Sequence, residues 1–374
     1  MLSHVSRAAL AAVALLVLCL PTPPQAGAAD APTPATGTLT VHGVGDRDPA
    51  TGDPVPLEGA PFTAYSDATL TMAVGACVTD AAGSCTIGGL ADGTYWVAPS
   101  GDPPGGVFHA VARFTTALAD DARYAEPVSV GEGEPTTRRF VFRRENPPFP
   151  ARCGVRVTLL FDLSGSISAD ELTTIKTASL DFVDALSGTP SSIAVTSFAT
   201  TAPAASNTNL APLSVATMTG VSTVKAAIAS LKGTSGDDRY TNWDAAFRSV
   251  SPTDVVVLFT DGNPTVYGVP AVFPPVLTGL DQVEGGVLSA NAVKAAGIRV
   301  LAVGVGDLAD IAPVNLQAVS GPVENSDYAI TTFADVQRVF RSLADALCPK
   351  PQEPEVPVVT EPEIVTVPPP RFTG

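Results

Sequence analysis

The stretch Asp162-Leu163-Ser164-Gly165-Ser166 directly follows a mostly apolar run at residues 155–161. The apolar run predicts a buried strand. A carboxylate and two hydroxyls then occupy alternating positions where that strand would end. Carboxylate and hydroxyl oxygens are hard donors, which suit Mg²⁺, Ca²⁺ or Mn²⁺ and suit zinc or copper poorly. The pattern therefore indicates a divalent-cation site at the end of a strand.

Strands and helices alternate around this stretch, from residue 153 to residue 348, which predicts a parallel sheet with crossover helices. The apolar runs suit strands that are covered on both faces. The predicted strands span 155–161, 193–198, 254–260 and 299–305, and the predicted helices span 169–186, 221–231, 242–250, 283–296 and 333–347.

Two further loops are predicted to reach the same edge of the sheet, because ligands of open α/β sheets bind outside the carboxyl ends of the strands. Asp261 follows the apolar run that ends at Thr260, and Thr241 stands where a helix begins. With the first stretch they supply two carboxylates and three hydroxyls, enough for most of an octahedral Mg²⁺ shell. Taken alone, Asp261 is typical of a turn and Thr241 of a helix N-cap.

Asp162, Ser164, Ser166, Thr241 and Asp261 together resemble the metal-ion-dependent adhesion site of von Willebrand factor type A domains, also called integrin I-like domains. The resemblance covers residues 153–348 and implies a Rossmann-like, doubly wound, mostly parallel α/β sheet. It implies that both serines bind Mg²⁺, or Ca²⁺ or Mn²⁺ in its place, directly. The threonine would bind directly when a ligand is engaged, and the two aspartates mainly through water. A carboxylate from a protein partner, such as an extracellular matrix or surface protein, would complete the shell.

Residues 37–146 form the second predicted domain, because short alternating runs with turn signals indicate a small β-sandwich. The segments beginning at Gly37, Val78, Leu90 and Pro103 resemble prealbumin-like domains of Gram-positive pilins and B-type repeats of collagen adhesins. Many such domains carry a Lys–Asn isopeptide bond. No lysine precedes Lys176 here, so that bond cannot form in this region. We expect the sandwich to act as a spacer.

The remaining segments are predicted to lie outside the two domains. Residues 1–28 have the pattern of a secretory signal peptide, with Arg7, an apolar run and a small-residue cleavage site, so we expect export. Residues 29–36 are predicted to be a linker and 147–152 a Pro-rich, semi-rigid connector. Residues 349–374 have the composition of a Pro-rich, disordered tail.

Four cysteines remain after the predicted cleavage: Cys77, Cys85, Cys153 and Cys348. An even number in an exported chain favours disulfides. The spacing suggests the pair Cys77–Cys85 across a hairpin turn and the pair Cys153–Cys348 across the α/β domain. Four free thiols are the alternative.

Composition excludes several classes of function. The net charge of −16, with only 21 Lys and Arg, argues against nucleic-acid binding. No histidine lies in residues 153–348, so that domain can build neither a Ser-His-Asp triad nor a His-ligated zinc site. Together with the predicted export and the two family resemblances, which imply adhesion and association with a pilus or the cell wall, these exclusions lead us to expect a secreted or cell-surface adhesion protein and not an enzyme. A structural scaffold whose metal only steadies the loops is the alternative, and a metal-dependent hydrolase is the remote one.

Further predictions concern the surroundings of several polar residues and the role of one loop near the predicted site. Ser168 with Glu171 is predicted to form a capping box. Asp237 and Asp238 are expected in a solvated loop, and Asp244 at a helix start, where the helix dipole favours it. The long loop at 263–280 is hypothesised to form part of the ligand face, with a mere covering loop as the alternative.

Overall fold

The computed structural model describes residues 36–111, 125–131, 135–150, 152–274, 280–306 and 311–348. The predicted signal peptide, the linker before residue 36 and the Pro-rich tail lie outside these described residues. Of the two compact units into which the chain divides, residues 36–374 form the one that contains every element described below.

Within the described residues before residue 151, the structure has ten strands. They are β1 (Gly37–Arg47), β2 (Pro54–Pro56), β3 (Pro61–Tyr65), β4 (Ala73–Val78), β5 (Ser84–Leu90), β6 (Gly93–Pro99), β7 (Phe108–His109), β8 (Glu126–Val130), β9 (Thr136–Val141) and β10 (Arg143–Arg144). In one sheet β1 pairs antiparallel with β2 and β5 and parallel with β9, while the second sheet has the order β4-β3-β6-β8. β7 and β10 form a separate two-stranded pair.

The two larger sheets enclose one apolar core, because alternate residues of their strands face inward. Leu39 and Val41 from β1 meet Phe62 from β3, and the Phe62 ring lies 5.1 Å from that of Phe140. This arrangement confirms the predicted β-sandwich. Cys77 and Cys85 are bonded as predicted. However, β4 and β5 belong to different sheets, so the bridge joins the two layers and does not close a two-stranded hairpin.

The second domain is built on a six-stranded sheet. Its strands are β11 (Arg156–Asp162), β12 (Ser192–Phe198), β13 (Leu210–Ser214), β14 (Val255–Thr260), β15 (Arg299–Val305) and β16 (Tyr328–Thr331). Its helices are α1 (Ala169–Leu186), α2 (Met218–Ser230), α3 (Trp243–Arg248), α4 (Leu280–Ala295), α5 (Pro313–Val319) and α6 (Val336–Leu347). The strand order is β13-β12-β11-β14-β15-β16, and all neighbours are parallel except β13.

Helices cover both faces of this sheet. Successive residues of β14 alternate between two cores, with Val257 and Phe259 facing α1, α2 and α6, and Val256 and Leu258 facing α3, α4 and α5. The doubly wound fold predicted from the apolar runs is thereby confirmed. The four predicted strands and five predicted helices are present with small shifts of their ends, and the Ser168–Glu171 capping box is formed.

The second disulfide joins the two ends of this domain. Cys153 precedes β11 and Cys348 caps α6, and their Cα atoms lie 4.5 Å apart. The predicted pairing is confirmed. It ties the carboxyl-terminal helix to the first strand of the sheet.

The sandwich packs directly against the α/β domain. Val44 and Val141 are buried in the same cluster as residues of α4. The Asn291 amide of α4 donates to the carbonyls of Gly45 and Phe142, at 2.5 and 2.7 Å. The residue before the connector is anchored too, since the Asn146 side chain donates to the Val300 carbonyl at 2.8 Å. The expectation of a simple spacer therefore understates how closely the two domains are joined.

Candidate metal centre

Asp162 is the last residue of β11 and is only 2 % exposed. One carboxylate oxygen accepts the amide proton of Ser164 at 3.0 Å, and the other accepts the hydroxyl proton of Thr260 at 2.7 Å. Both oxygens are thus held by groups on neighbouring strand ends. Thr260 ends β14 and precedes Asp261, so the two predicted carboxylates lie on adjacent parallel strands.

Ser164 and Ser166 present their hydroxyls together. Their Oγ atoms lie 3.2 Å apart, with Ser164 buried and Ser166 exposed. Neighbouring oxygens around an octahedral Mg²⁺, each about 2.0–2.1 Å from the ion, lie about 2.9 Å apart. The serine pair is therefore spaced as two adjacent ligands of one cation need to be.

Thr241 is 5 % exposed, and Thr265 forms hydrogen bonds with both its backbone amide and its backbone carbonyl. Its amide donates to the Thr265 hydroxyl at 2.9 Å, and its carbonyl accepts from the Thr265 amide at 2.8 Å. The following residue, Asn242, caps α3 by accepting from the amide of Ala245 at 2.9 Å. The N-cap role that a threonine here suggests thus belongs to Asn242.

Hydrogen bonds connect the three predicted loops. The Gly165 amide donates to the Arg239 carbonyl at 2.8 Å, which joins the first loop to the loop that carries Thr241. A Cβ on Gly165 would lie 2.9 Å from the Cβ of Arg239, so this approach requires glycine. The structure thus brings the three loops to one edge of the sheet.

The charges at this edge favour a cation. Burial, and after it the neighbouring negative charge of Asp261, raise the pKa of Asp162 to about 7. A bound cation would relieve both effects, because it favours the ionised form of each carboxylate. Among the described residues, no group of three or more His, Cys, Asp or Glu is arranged to hold a metal. A metal at this edge would therefore depend on the hydroxyls, as the serine-rich donor set allows.

Of the three nearby acids, Asp237 lies in its predicted environment, and the other two have partners that the sequence did not indicate. Asp237 is exposed, as expected for a solvated loop. Asp238 is half-buried, and it accepts hydrogen bonds from the amides of Thr201 and Ala205, at 2.9 and 2.5 Å, and so holds the loop after β12. Asp244 lies in the first turn of α3, but it is buried and paired with Arg47 of the sandwich. No local pattern links residues 197 positions apart, so the sequence carried no signal for this pair.

The loop after Asp261 has a buried part and an exposed part. Val266 is fully buried, whereas Phe273 is 55 % exposed. The Phe273 ring meets the ring of Tyr240 edge-on at 5.2 Å, and the Arg239 guanidinium lies 5.1 Å above that same tyrosine ring. Arg239, the half-buried Tyr240 and Phe273 therefore form an aromatic and cationic surface, and its first two residues directly precede Thr241. Residues 275–279 of the predicted loop lie outside the described residues.

The sequence model of the von Willebrand factor type A domain matches residues 157–342, about half of the chain. This segment is a von Willebrand factor type A domain. The match begins inside β11 and ends inside α6, so it contains all five predicted metal ligands. The family supports a binding role for this domain in general terms.

Solved structures with a similar fold include three that differ in source. Proximal thread matrix protein 1 from the mussel byssus is 19 % identical over 52 % of this chain and 45 % of its own, with a TM-score of 0.37. The pilus adhesin SpaC from Lactobacillus rhamnosus GG is 13 % identical over 55 % of this chain and 32 % of its own, with a TM-score of 0.41. The von Willebrand domain of the type V pili tip protein Mfa5 from Porphyromonas gingivalis is 12 % identical over 54 % and 96 %, with a TM-score of 0.39.

The chain thus spans less than half the length of the first two of these proteins. No curated protein matches it. Within the described ranges, no helix combines the length and apolar character needed to span a bilayer.

Proposed function

We propose that the A-type domain binds a protein partner through a divalent cation, with Mg²⁺ the first choice and Ca²⁺ or Mn²⁺ the alternatives. The ligands would be Asp162, Ser164, Ser166, Thr241 and Asp261. The observation that carries the proposal is the meeting of three loops bearing two carboxylates and three hydroxyls at one sheet edge. Hard oxygen donors in this number suit these cations.

Bound Mg²⁺ would supply a positive charge with a free coordination position, which a Glu or Asp of the partner can occupy. The chain's own residues explain why that position attracts a carboxylate. Ser164 and Ser166 are neutral donors, so they leave more of the cation's charge for the partner than carboxylate ligands would. Asp162 is held by Ser164 and Thr260, which makes it a fixed counter-charge.

The aromatic and cationic surface of Arg239, Tyr240 and Phe273 would select the partner. A partner segment with an apolar group beside its acidic residue fits a surface that joins two aromatic rings to one cation. Within the loop at 263–280, we therefore assign only the part around Phe273, which faces outward, to the ligand face. The part around Val266 is buried and serves packing.

We further propose that the protein acts outside the cell as an adhesin, at the surface and in association with a pilus or the cell wall. The two disulfides support an oxidising compartment. They agree with the signal-peptide pattern of residues 1–28. We assign no catalytic residue, and a scaffold role or metal-dependent hydrolysis remain as alternative functions.

The test begins with metal-free protein, prepared with a chelator and titrated with Mg²⁺ in a calorimeter. Wild type should bind one equivalent, and Asp162→Asn should bind none. Asp237→Asn is the matched control, because it removes an exposed carboxylate from the same region and should leave Mg²⁺ binding unchanged.

Partner binding is then measured on an array of glutamate-containing peptides, with Mg²⁺ or with chelator. Peptide binding that requires both Mg²⁺ and the glutamate supports adhesion. Mg²⁺ binding without any peptide binding would favour the scaffold alternative. Failure of wild type to bind any of the three cations would overturn the proposal.

A further inference from the structure

Asp244 lies three residues after Thr241, and its side chain is 1 % exposed. Its carboxylate accepts hydrogen bonds from side chains of both domains and from one backbone amide. The donors are Arg47, Arg248, Ser289 and the amide of Gly268. A buried carboxylate with this many donors is held in one orientation, because losing any donor would leave part of its charge uncompensated.

Arg47 is the donor that comes from the β-sandwich. It is the last residue of β1, and its Nη2 lies 2.9 Å from each of the two carboxylate oxygens of Asp244. Its Nε donates to the Ser289 hydroxyl at 2.9 Å, and its Nη1 to the Gly52 carbonyl at 2.6 Å. The planar guanidinium thus donates hydrogen bonds to α3, to α4 and to its own domain at once. A lysine could not do so, because its ammonium group lacks the fork of donors that this geometry requires.

Asp244 connects to Thr241 through the loop after β14. The Gly268 amide donates to Asp244 at 3.0 Å, and the Gly268 carbonyl accepts from the Asn242 amide group at 3.0 Å. The same loop contains Thr265, which holds the amide and the carbonyl of Thr241. A continuous series of contacts therefore runs from the sandwich to the threonine of the candidate metal site.

Close packing of α3 on α4 supports this series. A Cβ on Gly285 would lie 3.0 Å from the Cβ of Tyr267, and a Cβ on Gly286 would lie 3.0 Å from the Cβ of Trp243. The two glycines let α4 approach both α3 and the loop after β14. Small movements of the sandwich against α4 would therefore displace the first residues of α3.

We propose that the Arg47–Asp244 pair is a positioning contact, by which the β-sandwich holds Thr241 in its place for cation binding. The inference rests on the proposed function only in taking Thr241 as a metal ligand. Metal sites need their ligands within about 0.5 Å of the working geometry, so a contact that limits the movement of one ligand raises affinity. The sandwich then supports the binding site itself.

The experiment compares three variants of the full exported chain. Arg47→Met removes the guanidinium and keeps the length, and Arg47→Lys keeps the charge without the fork. Arg139→Met is the matched control, because it breaks another ion pair between the domains, to Glu284 of α4 at 3.4 Å, without touching α3. Two quantities are measured: Mg²⁺ affinity by calorimetry, and amide hydrogen exchange of residues 239–247 in metal-free protein.

Arg47→Met should weaken Mg²⁺ binding about three- to tenfold, the size expected for coupled residues, and should speed exchange in residues 239–247. Arg47→Lys should lie between wild type and Arg47→Met. Arg139→Met should match wild type in both measurements. In a Thr241→Ala background, Arg47→Met should cause no further loss of affinity, because it acts through that threonine.

Unchanged Mg²⁺ affinity and unchanged exchange in Arg47→Met would overturn the inference, as would an equal loss in Arg139→Met. If wild type binds no cation, the proposed function fails, whereas the exchange measurement on metal-free protein still decides whether Arg47 holds this segment. Ser289→Ala provides a milder break of the same contact if Arg47→Met does not fold.

Discussion

Thr260 donates its hydroxyl proton to the Asp162 carboxylate across 2.7 Å. Because Thr260 directly precedes Asp261, the segment that carries one predicted acidic ligand holds the other. Asp162 and Thr260 end adjacent parallel strands, β11 and β14. Together with the bond from the Ser164 amide, this bond sets the orientation of the Asp162 carboxylate about its last torsion. It also couples the two strand ends on which both predicted acidic ligands stand.

Replacing Thr260 with valine tests that bond, since the shape is kept and only the hydroxyl is lost. We expect a loss of about 1–3 kcal/mol in the free energy of unfolding, because a buried acceptor loses its donor. Mg²⁺ affinity should fall as well. Thr158→Val is the matched control on the same sheet, because the buried Thr158 hydroxyl has no hydrogen-bond partner among the described residues. Equal losses in the two variants, measured by urea unfolding, would contradict the assigned role.

The raised pKa of Asp162 predicts how the effect of Mg²⁺ varies with pH. Between about pH 4 and pH 7, the folded metal-free protein keeps a proton on Asp162 that the unfolded chain has released. The stability contributed by this group therefore falls as pH rises through that window. Above pH 7 the carboxylate is ionised and buried beside Asp261, and Mg²⁺ compensates that charge.

We accordingly expect excess Mg²⁺ to raise the melting temperature more at about pH 8 than at about pH 5.5. Differential scanning calorimetry at the two pH values measures this difference. Asp162→Asn cannot ionise, so its melting temperature should not respond to Mg²⁺ at either pH. An equal Mg²⁺ effect at both pH values in wild type would show that Asp162 is not the group involved.

Local sequence patterns were sufficient to predict the four central strands of the sheet and to suggest the candidate site. Strands such as Val255–Thr260 are apolar up to their last residue, and α1 begins at a capping box, so both can be predicted from a few neighbouring residues. The two acidic site residues are recognisable for the same reason, because Asp162 ends one such strand and Asp261 directly follows another.

Elements that depend on distant neighbours escaped prediction. β13 (Leu210–Ser214) contains Pro212 and is largely exposed, which suits an antiparallel edge strand but resembles a loop. β16 (Tyr328–Thr331) has only four residues. The Arg47–Asp244 contact has no local signature at all, since each partner alone has the pattern of an ordinary charged surface residue.

The two disulfides should differ in their contribution to stability. Cys153 and Cys348 close a loop of 195 residues, whereas Cys77 and Cys85 close one of 8. The loss of chain entropy in the unfolded state grows with loop length, to about 5 kcal/mol for the long loop and about 2.5 kcal/mol for the short one. Double Cys→Ser variants of each pair, compared by urea unfolding, should show this order. The reverse order would mean that the bridge between the sandwich layers, and not domain closure, stabilises the chain more.

Phe273 should affect partner recognition without affecting the metal. Its ring is exposed and packs on Tyr240, the residue before Thr241, so it lies beside the site but contributes no cation ligand. Phe273→Ser should weaken Mg²⁺-dependent binding of a glutamate peptide by about 1 kcal/mol or more, because an interface anchor is lost. Its Mg²⁺ affinity should equal that of wild type. Val323→Ser is the matched control, since Val323 is 56 % exposed on the segment between α5 and β16. Equal peptide binding by wild type and Phe273→Ser, measured by calorimetry, would show that the metal-bound carboxylate alone carries recognition.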